Sequence, residues 1–187
     1  VVNFATTLIE VIWFLWAALW LVLAFRTKRT VARSGGLSRL AVVWVVVVIA
    51  VNGPLAHTSL HHRIWAVSPA VSLVASLLMV AGTAFTIWAR FTIGANWSGT
   101  VTLKEHHELM QRGPYGLARH PIYTGLLLMG VASALQYGEP FGFLELVVII
   151  GLFIYKIHLE EKLMTENFPD QYPQYRQRVK AIIPFIF

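Results

Sequence analysis

Between Phe4 and Phe25 the only charged residue is Glu10, and between Pro69 and Ile93 the only one is Arg90. Leu40 to Ala56 contains no charge at all. Runs of this length are the strongest constraint on the fold, because a hydrocarbon layer about 30 Å thick is crossed by roughly 20 apolar helical residues. The composition agrees: 57% of the 187 residues are hydrophobic and 13% charged, against roughly 45–50% and 25% in soluble domains, which excludes an ordinary soluble globule. The second run is rich in valine. In lipid, however, an open sheet leaves backbone donors unpaired, so that run too is assigned to a helix. The first run is read as a span rather than a cleaved leader, since it is longer than a secretory core and is followed directly by Arg26, Lys28 and Arg29.

Two shorter apolar runs, Ile122 to Tyr137 and Phe141 to Ile157, are joined by Gly138-Glu139-Pro140, which reads as a tight turn. The expected fold is therefore all-α, a polytopic membrane protein of about five helices whose last two form a hairpin. A polar segment and a C-terminal tail, from His158 onward, complete it. The chain reads as one domain, 1–187, with three helices in 1–93 and the chemistry in 94–187. Of its fifteen basic residues, five lie from Arg26 to Arg39, four from Arg90 to Arg119 and five from Lys156 to Lys180, leaving only Arg63 elsewhere. Loops retained in the cytoplasm keep Lys and Arg, so the N-terminus is expected outside, and the polar segment and C-terminus inside. An excess of basic over acidic residues is here a sign of orientation and headgroup contact, not of nucleic-acid binding. The absence of cysteine excludes disulfides, a thiolate metal site and a cysteine nucleophile.

Polar residues collect in two stretches beside the last two helices. One runs from His106 to Gly125. The other begins with Lys156 and His158, continues through Glu160 and Glu161, and reaches Tyr172, Tyr175 and Arg178. The turn at 138–140 folds the fifth helix back along the fourth, so His120 and Lys156 are expected at the same membrane face. Pro121 suits a first helical turn and holds His120 outside it. Lys156 and Glu160, four residues apart, share a helix face. Taken singly, these groups have plainer readings. Arg119, His120 and Tyr123 fit interfacial anchors, Glu160 with Glu161 fits a solvated face, and the tryptophans at 13, 16 and 20 fit packing or lipid contact. His57, His61 and His62 read as polar loop residues, and no metal site is expected. Glu10, inside the first span, is the kind of ionisable residue that is usually functional unless hydrated near the surface.

The order of the pieces is more specific than any one of them. His107-x-Leu109, Gly113-x-Tyr115, Arg119-His120-Pro121-x-Tyr123-x-Gly125, then Glu160-Glu161, Phe168, Tyr172, Tyr175, Val179 and Ile183-Pro184-Phe185-Ile186 together closely resemble the isoprenylcysteine carboxyl methyltransferase family. The likeness covers roughly the last half of the chain, from Asn96 onward. It implies an integral membrane enzyme that moves a methyl group from S-adenosylmethionine to the carboxylate of a lipid-modified cysteine, leaving S-adenosylhomocysteine. It further implies cofactor contacts from His107, Glu108, Leu109, Met110, Tyr115, His120, Pro121, Ile122, Tyr123 and Glu160, several of them through backbone atoms. Lys156 stands where the family usually has Arg.

Methyl transfer from a sulfonium is an in-line displacement, helped mainly by positioning and exclusion of water. A carboxylate is already the nucleophile, so no general base is needed, but a cation must hold it. Lys156 is expected in that role, with Arg119 as a second substrate contact and with Glu160 beside Lys156 in the reacting region. Glu161 is expected to matter less than Glu160. Two other functions compete: methylation of a phospholipid amine or another lipid acceptor, and non-catalytic binding of a lipid or partner helix.

Overall fold

The computed structural model describes residues 4–26, 28–33, 62–98, 100–105 and 108–183. The predicted second span, with His57, His61 and His107, lies outside the described residues. The helices are α1 (Phe4–Ala24), α2 (Pro69–Ile93), α3 (Pro121–Tyr137), α4 (Pro140–Asn167) and α5 (Tyr172–Arg178). A small antiparallel ribbon, not anticipated, pairs β1 (Thr30–Arg33) with β2 (Thr102–Lys104). Its register is Thr30 to Lys104, then Ala32 to Leu103, with an irregularity between.

Local chemistry sets most helix ends. The Ser68 hydroxyl accepts the Val71 N–H at 3.3 Å and Pro69 occupies the first turn of α2. Gly138, left-handed at φ 65°, caps α3, and Pro140 opens α4 two residues later, so the predicted hairpin turn is present. The end of α4 departs from expectation. The helix runs ten residues beyond Ile157, because Leu159 through Met164 are good helix formers and no proline intervenes before Pro169. Where hydrophobicity ends, helicity does not, and Lys156, Glu160 and Glu161 all stand on one unbroken helix.

Phe4–Ala24, Pro69–Asn96 and Pro140–Asn167 are each long and apolar enough to cross a membrane. Helix α3 has 17 residues, roughly 25 Å, at the short limit for a span. It packs chiefly on α2 rather than on its hairpin partner. The two helices come very close at Gly82 and Gly125: a Cβ on Gly125 would lie 2.5 Å from Thr86 Cγ2 and 2.6 Å from the Gly82 carbonyl oxygen. Small residues at such a crossing let two backbones touch, which is how helices associate tightly in lipid. Around it Ile9, Ala75, Met79, Met129 and Ala132 form a fully buried cluster. Phe14, Leu21, Leu73, Leu77, Phe91 and Val147 stay exposed on the outer surface, as a lipid-facing belt requires.

The tryptophans of α1 face the protein. Trp13 Nε1 donates to Ser133 Oγ and Trp16 Nε1 to Thr86 Oγ1, each at 3.0 Å, and Trp16 stacks on Trp20. Arg90, only 3% exposed, donates at 2.7 Å to the carbonyls of both Leu23 and Gly94. Its guanidinium carbon lies 4.7 Å from the Trp97 ring centroid. One buried cation thus meets the negative C-terminal ends of α1 and α2 together.

The two ends of the bundle differ. At one, Tyr137 donates to Glu10, Gln136 to Thr6, and the Ile64 N–H to the Gly138 carbonyl. At the other, the Lys28 N–H meets the Ala95 carbonyl, the Glu105 N–H meets that of Arg29, and the Arg119 N–H meets that of Lys180. The described parts of all three basic segments therefore gather at one end.

Candidate active site

At the basic end a cavity of about 270 Å³ opens between α2, α3, α4, the polar segment and the tail. Its floor is made where α3 begins. Residues 113–116 form a 3-10 turn entered through Gly113 at φ 59°, and His120 follows with non-helical φ −122°, ψ 61° before Pro121 starts the helix. The His120 carbonyl accepts the N–H groups of both Tyr123 and Thr124, at 3.0 and 3.1 Å. That tight start aims the His120 and Tyr123 rings in parallel, with centroids 5.5 Å apart and planes within 2°.

Tyr123 is the hub on the cavity side. Its hydroxyl donates to Glu160 Oε1 at 2.8 Å and reaches Oε2 at 3.0 Å. Its ring stacks on Phe153 at 4.6 Å, and Lys156 Nζ lies 5.2 Å from the ring centroid. Lys156 Nζ is also 3.8 Å from Glu160 Oε1, as the four-residue spacing implies. The predicted face is thus formed, with Lys156, Glu160 and Tyr123 in mutual contact on the cavity wall.

Behind them His120 sits between two carboxylates. Nδ1 is 3.4 Å from Glu160 Oε2 and Nε2 is 3.3 Å from Glu161 Oε1. A neutral imidazole has one N–H, so satisfying both contacts requires the doubly protonated ring. Burial opposes that charge, but the hydrogen bonds and charges of Glu160 and Glu161 outweigh it and hold the His120 pKa above its ordinary value.

Glu161 is not part of a solvated face. It is 7% exposed and accepts from Arg119 Nη2 at 2.6 Å and Arg119 Nε at 2.8 Å, with Arg176 Nε at 3.4 Å. Arg119 Nη1 donates in addition to the carbonyls of Arg176 and Val179. Its donors are therefore committed to Glu161 and the tail, although the residue still lines the cavity. The tail is held along its length: the His120 N–H meets the Ala181 carbonyl at 2.9 Å, Thr124 Oγ1 donates to that of Ile182 at 2.7 Å, and the Tyr175 hydroxyl donates to that of Tyr115 at 2.6 Å. Burial raises the pKa of Tyr115, Tyr172 and Tyr175, so these remain neutral phenols.

Of the residues singled out from the sequence, Glu108, Leu109, Met110, Tyr115, Arg119, His120, Pro121, Ile122, Tyr123, Lys156 and Glu160 all line this one cavity. Trp20, Ile93, Asn96 and Trp97, not assigned to the site from the sequence, line it too. Trp20 comes from α1, whose tryptophans fit packing or lipid contact on sequence alone. The only hint of its role was its phase, one turn beyond Trp16.

The sequence pattern of the phospholipid methyltransferase family matches residues 71–171. Protein-S-isoprenylcysteine O-methyltransferase B of Arabidopsis thaliana is 31% identical over 101 residues, covering 52% of this chain and 51% of the plant protein. The protein-S-isoprenylcysteine O-methyltransferase of Saccharomyces cerevisiae is 29% identical over 118 residues, 62% of this chain and 49% of its own. The chain thus spans about half the length of these relatives. In fold it is similar to the eukaryotic intramembrane Ras methyltransferase ICMT, with a TM-score of 0.58 at 24% identity over 83% of this chain and 55% of that one. With more than half of its residues inside the matched region, and with the apolar helices described above, the chain is an integral membrane protein that belongs to the phospholipid methyltransferase family.

Proposed function

We propose that this chain transfers a methyl group from S-adenosylmethionine to the carboxylate of a lipid-borne acceptor, a prenylated cysteine being the acceptor class that its relatives' names point to. The observation that carries the reading is the pairing, on one cavity wall, of a carboxylate held by Tyr123 and His120 with a cation, Lys156, beside it. The residues present fit such a donor. Glu160 and the π faces of Tyr123 and Phe153 suit a positively charged sulfonium, and the indole rings of Trp20 and Trp97 in the lining suit a nucleoside. When bound, the donor supplies an electrophilic methyl on sulfur.

The chain's own contribution is orientation. Tyr123 and His120 fix both oxygens of Glu160, so its negative charge is pre-aimed into the cavity and needs no rearrangement when ligand arrives. Lys156, at the cavity edge on the lipid-spanning helix, is the group assigned to the acceptor carboxylate. His107, Glu108, Leu109, Met110, Tyr115, Pro121 and Ile122 are assigned to the donor, and Arg119, whose donors hold the tail, is assigned to shaping the site. No proton has to be removed from a carboxylate before it attacks, so no general base is needed. In this reading residues 1–187 act as one membrane-embedded unit, with the basic end toward the cytoplasm.

Isothermal titration of the detergent-solubilised chain with S-adenosylhomocysteine tests the donor assignment: saturable binding is expected, and none would leave a non-catalytic membrane protein. The family's name favours a second reading, methylation of a phospholipid amine. A neutral amine gains nothing from Lys156, and the identity of the methylated atom separates the two.

A further inference from the structure

Arg90 stands behind the cavity lining rather than in it, buried in the last turn of α2. Its Nη1 and Nη2 donate at 2.7 Å to carbonyls on two elements, that of Gly94 after α2 and that of Leu23 near the end of α1. Two bonds from different nitrogens of a planar group fix the plane of that group. Nε is buried with no hydrogen-bond partner among the described residues, and the guanidinium's further contact is with a ring: its carbon lies 4.7 Å from the Trp97 centroid. Trp97 is held at its backbone as well. Its N–H donates at 3.3 Å to the same Gly94 carbonyl that accepts Arg90 Nη1.

Trp97 carries that order into the cavity. It lines the site, meets Trp20 edge to face with centroids 6.1 Å apart, and packs with Met110 and Tyr123 around Ala89, Tyr115 and Ile122. Tyr123 in turn holds Glu160. An apolar residue would fill the place of Arg90 at a lower desolvation cost, so packing alone does not account for a guanidinium there. Capping two helix ends accounts for the bonds to Leu23 and Gly94, but not for the contact with the ring. We infer that Arg90 is a positioning residue for the methyl donor: it sets the Trp97 ring, and through it Trp20, so that the cavity is formed before the donor arrives. This rests on the methyl-donor reading above and adds to it a residue behind the lining.

The test is a double-mutant cycle on the full chain in detergent, read by calorimetric titration with S-adenosylhomocysteine. Arg90→Lys keeps the charge but not the planar fork, and should bind about tenfold more weakly than the native chain. Trp97→Leu removes the ring through which Arg90 acts, so adding Arg90→Lys to it should weaken binding no further. Native affinity in Arg90→Lys overturns the inference. So does a loss of the same size in both backgrounds, which is what a helix cap independent of Trp97 would give. Fluorinated tryptophans at position 97 cover the case in which Arg90→Lys fails to fold, since Arg90 stays and each fluorine weakens the ring face's attraction for a cation. Affinity should fall stepwise with the number of fluorines, and a flat series overturns the inference. No binding of S-adenosylhomocysteine to the native chain would instead refute the donor reading itself.

Discussion

Arg119 Nη2 lies 2.6 Å from Glu161 Oε1, with only 8% and 10% of the two side chains exposed, and this pair ties the start of α3 to the extension of α4 and to the tail. The second carboxylate of the Glu160-Glu161 pair is thus the structural one. It holds Arg119, which holds the tail carbonyls, and it faces His120 from the side opposite Glu160. The expectation that Glu161 matters less than Glu160 applies to ligand binding alone.

Glu161→Gln should destabilise the chain. Removing one charge from a buried ion pair strands the other, at a cost of about 3 kcal/mol. A lowered thermal midpoint in detergent is expected, together with faster tryptic cleavage at Arg176 and Arg178 as the tail loosens. Unchanged cleavage would show that the tail is held without the pair.

Glu160→Gln should act on the ligand instead. The amide keeps a contact with Tyr123 but presents no charge to a cationic donor, so affinity for S-adenosylmethionine should fall about tenfold or more, while the thermal midpoint moves less than in Glu161→Gln. Calorimetric titration beside thermal unfolding separates the two carboxylates.

His120 gives the fold a pH dependence of definite sign. Its folded pKa is raised above the ordinary value of about 6.5, so the folded state holds this proton more tightly than the unfolded chain does. The stabilisation is complete below about 6.5 and fades as pH rises through the elevated folded value. The thermal midpoint should therefore decline as pH rises above about 6.5, and His120→Gln should flatten that decline.

The hairpin turn and the first turn of α3 were legible in the sequence because their determinants are local: a glycine at the left-handed cap, a proline at the next first turn, and Pro121 after His120. The Lys156–Glu160 face was legible for the same reason, being a matter of helical spacing. Glu161 was not, since its burial depends on a tail that returns from fifteen or more residues away to lie against it and Arg119. The full extent of α4 is not marked by apolarity, which ends at Ile157; it follows from the helix-forming run Leu159 to Met164. The share of α1 and of the turn after α2 in the cavity was illegible because Trp20 and Asn96 carry no signal of their own, and only the packing of α1 against α2 brings them together.

Gly125→Ala probes that packing. Its Cβ would meet Thr86 Cγ2 at 2.5 Å and the Gly82 carbonyl oxygen at 2.6 Å, and such overpacking typically costs about 1–3 kcal/mol. A lower thermal midpoint is expected, with partial recovery when Thr86→Ser removes the clashing methyl. No recovery would place the strain on the Gly82 backbone alone.

Replacement of Lys156 separates acceptor from donor. Glu160 keeps its closer contacts with Tyr123 and His120 when the 3.8 Å contact to Lys156 is lost, so Lys156→Met should bind S-adenosylhomocysteine nearly normally. Its turnover should fall on the order of 10² to 10³, and Lys156→Arg should retain activity on a carboxylate acceptor.

The central claim, methylation of a lipid-borne carboxylate, is tested most directly by incubating the purified chain in lipid vesicles with methyl-labelled S-adenosylmethionine and a farnesylated cysteine acceptor, then treating the product with base. The account predicts label in the farnesylcysteine, released by base as volatile methanol. Base-stable label in phosphatidylethanolamine, with none in the farnesylcysteine, would contradict it.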